Sequence, residues 1–235
     1  MTAHDDLVRS IIPFFDSHPL FTSKYLDYRD WREAVMIMAR GGHLIPGGKD
    51  RARIFSIKDN LNDERPFQER WDYCETLVGN REINLQWLIG FLEGEACFYF
   101  YLGVTKNGNV AQPSIEIKQS SHDLVVLKFI QEFIGGGVIS PTVEKGSKEP
   151  LIGEYVTNVL KIKADKLLQL VIDMINNNKF LTTKYKEFYT WTRLVNLRNV
   201  RAYRDSEGWQ LMQDLRLTLN WGGHKKMKAK KRKVK

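Results

Sequence analysis

Apolar residues in the middle of the chain recur at every second position, which is the spacing of a half-buried β-strand. Over residues 98–105 the even positions carry Phe, Phe, Leu and Val, and the odd positions carry two tyrosines, glycine and threonine. This alternation predicts a strand over 96–105 with one apolar and one polar face. The Lys-Asn-Gly-Asn sequence at 106–109 predicts a hairpin turn, because Asn-Gly tolerates positive φ, and a return strand follows over 111–118.

Apolar residues on either side of this hairpin recur at helical spacing and predict the remaining elements. Helices are expected over 84–94 and over 123–133, where three consecutive glycines end the second helix. Two further strands and three helices complete the order, over residues 138–143 and 155–163 and over 165–175, 183–196 and 206–217. This order predicts an α+β fold, in which an antiparallel four-stranded sheet has helices on one face and leaves the other open.

The first 62 residues repeat the end of the chain at a spacing of about 160 residues. The sequence Thr-Ser-Lys-Tyr at 22–25 lines up with Thr-Thr-Lys-Tyr at 182–185, and Trp31 lines up with Trp191. We therefore interpret residues 1–62 and 161–220 as the closing helices of two half-domains. The polar residues 63–82 between the first copy and the middle of the chain are predicted to be a linker.

Composition narrows the class of protein. The chain is 43% hydrophobic and 27% charged, which is ordinary for a globular protein, and its apolar runs fall short of the roughly 18 residues that span a bilayer. We expect no membrane partner. The sequence contains no Gly-rich phosphate loop, nucleophile elbow or CxxC pair, so nothing supports a small-molecule enzyme.

The net charge of +8 is concentrated at the end of the chain. Residues 225–235 carry seven Lys and one Arg, and without them 28 basic and 28 acidic residues balance. This basic tail, residues 221–235 in our division of the chain, is suited to nonspecific phosphate binding and resembles a nuclear-localisation run. A disordered solubilising tail is the alternative interpretation.

The sequence that carries the candidate chemistry is WLIGFLEGEACF, residues 87–98. Gly90 and Gly94 lie four apart on one helix face, where small residues let a second helix approach almost backbone to backbone. Glu93 and Glu95 follow at the C-terminal end of the helix, where the helix dipole disfavours negative charge. Mg²⁺ bridged to phosphate oxygens is a natural compensating cation. Two solvated surface glutamates are the alternative.

These residues resemble the motif of the LAGLIDADG homing endonuclease family, whose common form reads W-L-x-G-F-x-D-x-E-G-S-F. The hairpin, helix, hairpin and closing helices that follow also match the order in the family. The resemblance implies a LAGLIDADG half-domain over residues 83–220 with αββαββα order, and an N-terminal all-helical remnant of a second half over residues 1–62. It also implies an intron-encoded endonuclease, which uses Mg²⁺ to cut double-stranded DNA at a specific site.

The resemblance also implies roles for single residues. Glu95 matches the acid that binds the divalent metal, and Glu93 matches an earlier, more structural acid. Gln119 matches a polar residue that helps to order active-site water. Lys163, or Lys161 as second choice, matches a basic residue near the end of the fourth strand. Ala96 departs from the family pattern, because glycine usually follows the catalytic acid, and one added methyl there can misplace the site.

A second motif is missing, although two such helices meet in the family and each contributes an acid. Three explanations remain open at this stage. The other half comes from another polypeptide, the chain forms a homodimer through Gly90 and Gly94 so that two copies of Glu95 meet, or catalysis is lost and only binding is retained.

The open face of the sheet is the expected DNA-reading surface, because strands can enter the major groove and read base edges there. For any single residue, a solvated strand face is the competing interpretation. The candidates are Tyr99, Tyr101, Lys106, Asn107, Asn109, Gln112, Glu116, Lys118, Lys145, Lys148, Glu154 and Asn158.

Two functions compete at this stage. The first is the homing endonuclease, and the second is a noncatalytic binder of RNA or DNA, such as an intron maturase or a ribonucleoprotein component. Intron or ribosomal RNA would then be the partner in place of duplex DNA. An intron-encoded protein implies an organelle, a mitochondrion or chloroplast, whereas the basic tail favours a nucleus.

Overall fold

The computed structural model describes residues 3–61, 65–76, 83–142 and 156–219. The chain forms two compact units, and we call them the helical unit (1–82, 119–128 and 143–157) and the sheet unit (83–118, 129–142 and 158–235). In the described part of the chain, no helix is both long and apolar enough to cross a membrane.

The helical unit is built mainly from helices that precede the motif, together with one turn that follows β2. Its elements are α1 (Ala3–Asp6), a π-helical turn (Leu7–Ile11), α2 (Ile12–Ser17), α3 (Lys24–Ala39), a 3₁₀ turn (Gly42–Leu44), α4 (Lys49–Asp59), α5 (Phe67–Thr76) and a 3₁₀ turn (Ser121–Asp123). Leu26, Val35, Ile37 and Ile57 are buried in its core.

Helix α5 lies within residues 63–82, where the polar composition led us to expect a linker. Its apolar residues Phe67, Trp71 and Cys74 recur at helical spacing between polar ones. Cys74 is buried, and the ring of Tyr73 stacks on that of Tyr25 with centroids 5.2 Å apart. The segment therefore contributes to the packing of the helical unit.

A buried ionic cluster follows the start of this segment. The side chain of Arg65 is 2% exposed and pairs with Asp27 at 3.3 Å and Asp30 at 2.5 Å, and it also contacts Glu69. Burial opposes the charge of the guanidinium, but hydrogen bonding and Coulomb attraction to Asp30 outweigh it and raise the pKa of Arg65. The cluster fixes the beginning of α5 against α3 by paired, hydrogen-bonded charges.

A second buried acid, Asp123, holds the start of α3. Its carboxylate accepts hydrogen bonds from the backbone N–H of Ser23 at 2.7 Å, the Ser23 hydroxyl at 3.2 Å and the Cys74 thiol at 3.1 Å. Burial alone would raise the pKa of Asp123, but hydrogen bonds from His122, Ser23 and Cys74 outweigh it and lower that pKa. The pKa of Cys74 is raised, by burial first and by Asp123 second.

The sheet unit begins with the motif helix and supplies the strands. Its elements are α6 (Leu85–Glu95), β1 (Ala96–Thr105), β2 (Gly108–Ser120), α7 (Leu124–Ile134), β3 (Val138–Pro141), β4 (Thr157–Ile162), α8 (Asp165–Asn177), α9 (Lys184–Asn199), a 3₁₀ turn (Ala202–Arg204) and α10 (Ser206–Thr218). Residues 119–120 of β2, 124–128 of α7 and 157 of β4 belong to the helical unit. The side chain of Asn84 caps α6 by accepting from the N–H of Trp87 at 2.8 Å.

The four strands form one sheet in the order β1-β2-β4-β3, with β1 antiparallel to β2 and β3 antiparallel to β4. The α+β fold with an antiparallel four-stranded sheet is confirmed. The hairpin is tighter than expected, because only residues 106 and 107 form the turn and Thr105 already pairs with Gly108. Gly108 adopts φ +105°, which glycine tolerates best, so β2 starts three residues earlier than the expected 111.

One face of the sheet is apolar and covered by the closing helices. Phe98, Phe100 and Ile115 are at most 1% exposed. Phe98 packs on Trp191 of α9 with ring centroids 5.4 Å apart, and the Trp191 indole donates to the carbonyl of Tyr99 at 2.9 Å. The opposite face, which carries Tyr99 and Tyr101, is therefore the one left open.

The internal repeat is visible in the spans of the elements. Helices α3 and α9 each have 16 residues and begin 160 residues apart, at Lys24 and Lys184. The 3₁₀ turns after them are also 160 residues apart, and each follows a residue in the left-handed region, Gly41 (φ 77°) and Arg201 (φ 60°). The matching geometry supports the alignment that the sequence suggested.

Candidate functional site

The motif helix ends at Glu95 with its carboxylate in solvent. Leu88, Ile89 and Leu92 are buried on one side of α6 and anchor it in the sheet unit, whereas Glu95 is exposed. Ala96 is buried and extended, with φ −73° and ψ 137°, and it turns the chain directly into β1. Helix and strand therefore meet at Glu95 without a loop, which fixes the acid at one end of the open sheet face.

Gly90 and Gly94 lie on an exposed side of the same helix. A Cβ added at either glycine would meet no described atom within 4 Å outside the immediate helix backbone. The two positions are four residues apart, so they form one shallow strip along α6. The close approach of a second helix along this strip stays a prediction.

Glu93 differs from Glu95 because it is used inside the sheet unit. Its carboxylate accepts a hydrogen bond from the backbone N–H of Thr182, just before α9 begins at Lys184. The amino end of a helix favours negative charge, so the contact ties the end of α6 to the closing helix. Of the two motif acids, Glu93 positions the helix and Glu95 is available to a ligand.

The register of the sheet identifies the open-face neighbours of the motif. Cys97 pairs with Glu116, Tyr99 with Ser114 and Tyr101 with Gln112. Tyr99, Tyr101, Gln112 and Lys118 are exposed, as are Lys106 and Asn107 in the turn. The structure therefore collects six of the predicted DNA-reading residues on one face and at its hairpin end.

Glu116 and Lys161 form an ion pair between strands β2 and β4. Their charged atoms are 2.6 Å apart, and Glu116 lies opposite Cys97, two residues after Glu95. Lys161 is therefore held at the end of the open face where the motif acid lies. Lys163, our first choice from sequence, is exposed just beyond the end of β4.

Two charged residues near this end were missed or undervalued in the sequence. Lys184 was noted only as part of the repeat, yet it pairs with Glu187 at 3.4 Å, and its charge acts on the thiol of Cys97. Burial first, and Glu116 second, raise the pKa of Cys97. Lys184 lies on α9, which packs against β1, so it comes near Cys97 through a contact that is distant along the chain and that no local pattern indicated.

Two of the candidates, Asn158 and Asn109, do not join this surface. Asn158 is corrected: it is 8% exposed and shares its strand face with the buried Leu160 and Ile162, because alternate residues of a strand point the same way. The side chain of Asn109 donates to the carbonyl of Tyr203 at 3.0 Å. Gln119 is half-buried near the end of β2, and Lys145, Lys148 and Glu154 lie outside the described residues.

The donor chemistry of the site suits a hard divalent cation. Carboxylate oxygen is a ligand that Mg²⁺ and Ca²⁺ prefer, and Glu95 offers it to solvent. Within the described residues, no group of three or more His, Cys, Asp or Glu side chains is placed to hold a metal ion. A metal ion bound at Glu95 would therefore need further oxygen ligands besides this carboxylate.

Solved structures show which class of fold this is. The structure of the homing endonuclease I-SmaMI bound to cleaved DNA matches with a TM-score of 0.73 and 22% identity, over 94% of this chain and 73% of that chain. I-LtrWI bound to target DNA matches with a TM-score of 0.74 and 20% identity, over the same shares. At this level of identity the likeness establishes the LAGLIDADG homing endonuclease fold.

Sequence comparison then gives the family. The profile of the LAGLIDADG endonuclease family matches residues 1–35 and 88–195, so the chain belongs to this family. A probable intron-encoded endonuclease of Schizosaccharomyces pombe, Cox1-I1b, is 29% identical over 79% of this chain and 44% of its own length. A probable intron-encoded DNA endonuclease of Mycosarcoma maydis is 25% identical over 77% of this chain and 70% of its own length. The chain therefore spans less than half of the first relative.

Proposed function

We propose that this chain is a site-specific, metal-dependent DNA endonuclease of the intron-encoded homing type. The observation that carries the proposal is the position of Glu95, exposed at the end of a glycine-faced helix and at one end of an open four-stranded sheet face. The intron-encoded relatives and the DNA-bound fold neighbours support it.

Mg²⁺ is the cation we propose for Glu95. When bound, the metal would activate water and stabilise the leaving 3′ oxygen of a phosphodiester. The described residues fit this cation, because Glu95 supplies a solvent-facing carboxylate and the phosphate oxygens of DNA supply further ligands of the same type. A structure of I-SmaMI with uncleaved DNA was solved in the presence of calcium ions, which is consistent with oxygen-rich divalent sites in this fold.

A second motif helix would complete the site. Packed along Gly90 and Gly94, it would bring its own acid next to Glu95, and no described atom outside the immediate helix backbone lies within 4 Å of a Cβ added at either glycine. A second copy of this chain is the source we propose to test first, because twofold symmetry places identical helices side by side. In this proposal residues 1–62 are the closing helices of a first half-domain, residues 63–82 connect them to the second, and residues 83–220 form the half-domain that carries the site.

The open sheet face would bind the duplex. Tyr99, Tyr101, Gln112 and Lys118 project from two neighbouring strands, and Lys106 and Asn107 extend the surface at the hairpin. Strands of this kind enter the major groove, where amide and cationic side chains read base edges and lysines contact phosphates. The basic tail, residues 221–235, would add nonspecific phosphate affinity.

A lysine at the motif end of the open face would support the reaction. We assign Lys161 to this role ahead of Lys163, because the ion pair with Glu116 holds the Lys161 ammonium at the motif end of the face. A fixed cation there would stabilise negative charge that develops on the scissile phosphate. Gln119 is retained as a candidate for ordering water.

A cutting assay with a matched variant tests the proposal. Duplexes that bind the chain would be selected from a random-sequence library and incubated with Mg²⁺. We expect Glu95→Gln to bind the selected duplex normally but to cut it about 100-fold more slowly, because one metal ligand is lost. Glu132→Gln, a similar change of an exposed glutamate on α7, should cut like the wild type. Undiminished cutting by Glu95→Gln would refute the proposal.

The noncatalytic binder is the second candidate, and Ala96 favours it. This residue stands where the family has glycine and is 1% exposed, so its methyl occupies packed space beside the acid. A maturase or ribonucleoprotein component would bind intron or ribosomal RNA with an affinity indifferent to Glu95→Gln. For either function we propose an organelle as the compartment, since the fungal relatives are named as intron-encoded.

A further inference from the structure

The ring of Tyr101 lies on the backbone of Gly103 instead of standing away from the sheet. The two residues share the open face of β1, because they are two positions apart on one strand. A Cβ added at Gly103 would lie 2.8 Å from Cε1 of Tyr101, and nearer still to its Cζ and hydroxyl oxygen. The ring therefore fills the space that any other side chain at position 103 would need.

This placement decides which part of the tyrosine faces outward. The hydroxyl end is turned down against the strand at Gly103, so the outward surface is the ring itself. Tyr101 remains 42% exposed, and its cross-strand neighbour Gln112 is exposed beside it. A low apolar patch thus lies within an otherwise polar surface, near the middle of the β1–β2 hairpin.

We propose that Tyr101, seated on Gly103, is a specificity-determining residue that selects a thymine in the major groove through its C5 methyl group. This inference rests on the proposed function, in which duplex DNA lies on the open face. Apolar and aromatic side chains contact the thymine methyl, and adenine, guanine and cytosine carry no methyl group at that edge. A ring that lies along the strand with its hydroxyl at Gly103 offers such a contact.

Replacing thymine by uracil tests the contact directly. Deoxyuridine keeps the pairing and the hydrogen-bonding groups of thymidine and lacks only the methyl group. Each thymine of a duplex selected by the wild-type chain would be replaced in turn, and the dissociation constant measured. We expect one position at which the wild type binds about fourfold more weakly, the value for one buried methyl group. Tyr101→Ala should bind both duplexes equally.

Gly103→Ala tests whether the position of the Tyr101 ring on Gly103 matters for this contact. The added methyl must displace the ring, which is the far end of a flexible side chain, so the fold should survive. We expect Gly103→Ala to lose the preference for thymine over uracil as Tyr101→Ala does, and the double variant to lose nothing more. Tyr101→Phe should keep the preference. Tyr189→Ala, which truncates an exposed tyrosine on α9, is the control that should behave as wild type.

The outcomes separate this inference from the proposed function. A wild-type chain that selects no duplex would overturn the proposed function. A selected duplex without a methyl-dependent position, or a dependence that survives Tyr101→Ala, would overturn the inference alone. Loss of the preference in Tyr101→Phe would show that the hydroxyl reads the base. If Gly103→Ala keeps the preference for thymine and its thermal unfolding is unchanged, the position of the Tyr101 ring on Gly103 does not matter.

Discussion

Replacing Asp123 by alanine should destabilise the helical unit severely. The carboxylate is the acceptor for three donors of two other segments: the N–H and hydroxyl of Ser23, at the start of α3, and the thiol of Cys74 in α5. Both partner residues are 2% exposed. Water cannot replace the lost acceptor without opening the packing around these groups.

The size of the destabilisation follows from the hydrogen-bond donors that would lose their acceptor. A buried backbone N–H without a partner costs about 1–3 kcal/mol, whereas the hydroxyl can rotate and the thiol is a weak donor. We therefore expect Asp123→Ala to lower the free energy of unfolding by about 2–4 kcal/mol. Asp123→Asn keeps one oxygen acceptor for the Ser23 N–H, so about 1 kcal/mol should be lost. Asp59→Ala, at an exposed acid of α4, should change stability by at most about 0.5 kcal/mol.

The pH dependence of the unfolding free energy tests independently that the ionised form of Asp123 is the stabilising one. The pKa of Asp123 is lowered in the folded protein, so its stabilising effect is fully present above the unfolded value of about 3.9. It is lost as pH falls through the lower, folded pKa. The difference in unfolding free energy between wild type and Asp123→Ala should therefore persist from neutral pH down to about pH 5 and should narrow below about pH 4.

Urea unfolding combined with amide hydrogen exchange measures both effects. The exchange of the Ser23 amide reports on the helical unit even if the two units unfold separately. We expect this amide to exchange faster in Asp123→Ala by a factor that matches the loss in unfolding free energy. Unchanged exchange at Ser23, or a loss of less than about 0.5 kcal/mol, would show that the hydrogen bonds to Asp123 do not hold this unit together.

Three further predictions concern other contacts. Arg65→Leu removes the buried cation between Asp27 and Asp30 and should cost about 3 kcal/mol or more in urea unfolding; a neutral result would contradict the buried cluster. Glu93→Ala loses the hydrogen bond from Thr182 and should lower the free energy of unfolding by about 1 kcal/mol, which thermal melts would detect. Gly94→Leu should leave the fold intact but prevent a two-chain complex on DNA in sedimentation velocity.

The element order was predictable because each element carries its own local signal. The alternation of residues 96–105 and the triple glycine after α7 mark a strand and a helix end by short-range rules. For the same reason, the exposure of Gly90, Gly94 and Glu95 could be inferred from helix geometry alone. A site on one helix end needs little long-range information.

The remaining features depend on contacts that are distant along the chain. Asn158 sits among apolar residues of β4, and only its pairing with neighbouring strands determines which face is covered. Helix α5 looks polar because a few apolar positions suffice for its packing. Strand register determines that Glu116 pairs with Lys161, and side-chain direction determines that the ring of Tyr101 lies on Gly103. The local sequence pattern gives neither the register nor the side-chain direction.

The central claim is that Glu95 supplies a metal-binding acid for DNA cleavage. The most direct test is Mg²⁺-dependent cutting of a selected duplex, measured at a chain concentration at which all the duplex is bound. The proposal predicts double-strand cutting by the wild type, and undiminished binding with about 100-fold slower cutting by Glu95→Gln. Equal cutting by both chains would contradict the role of Glu95. A wild-type chain that binds and never cuts would contradict the claim that two copies complete the site.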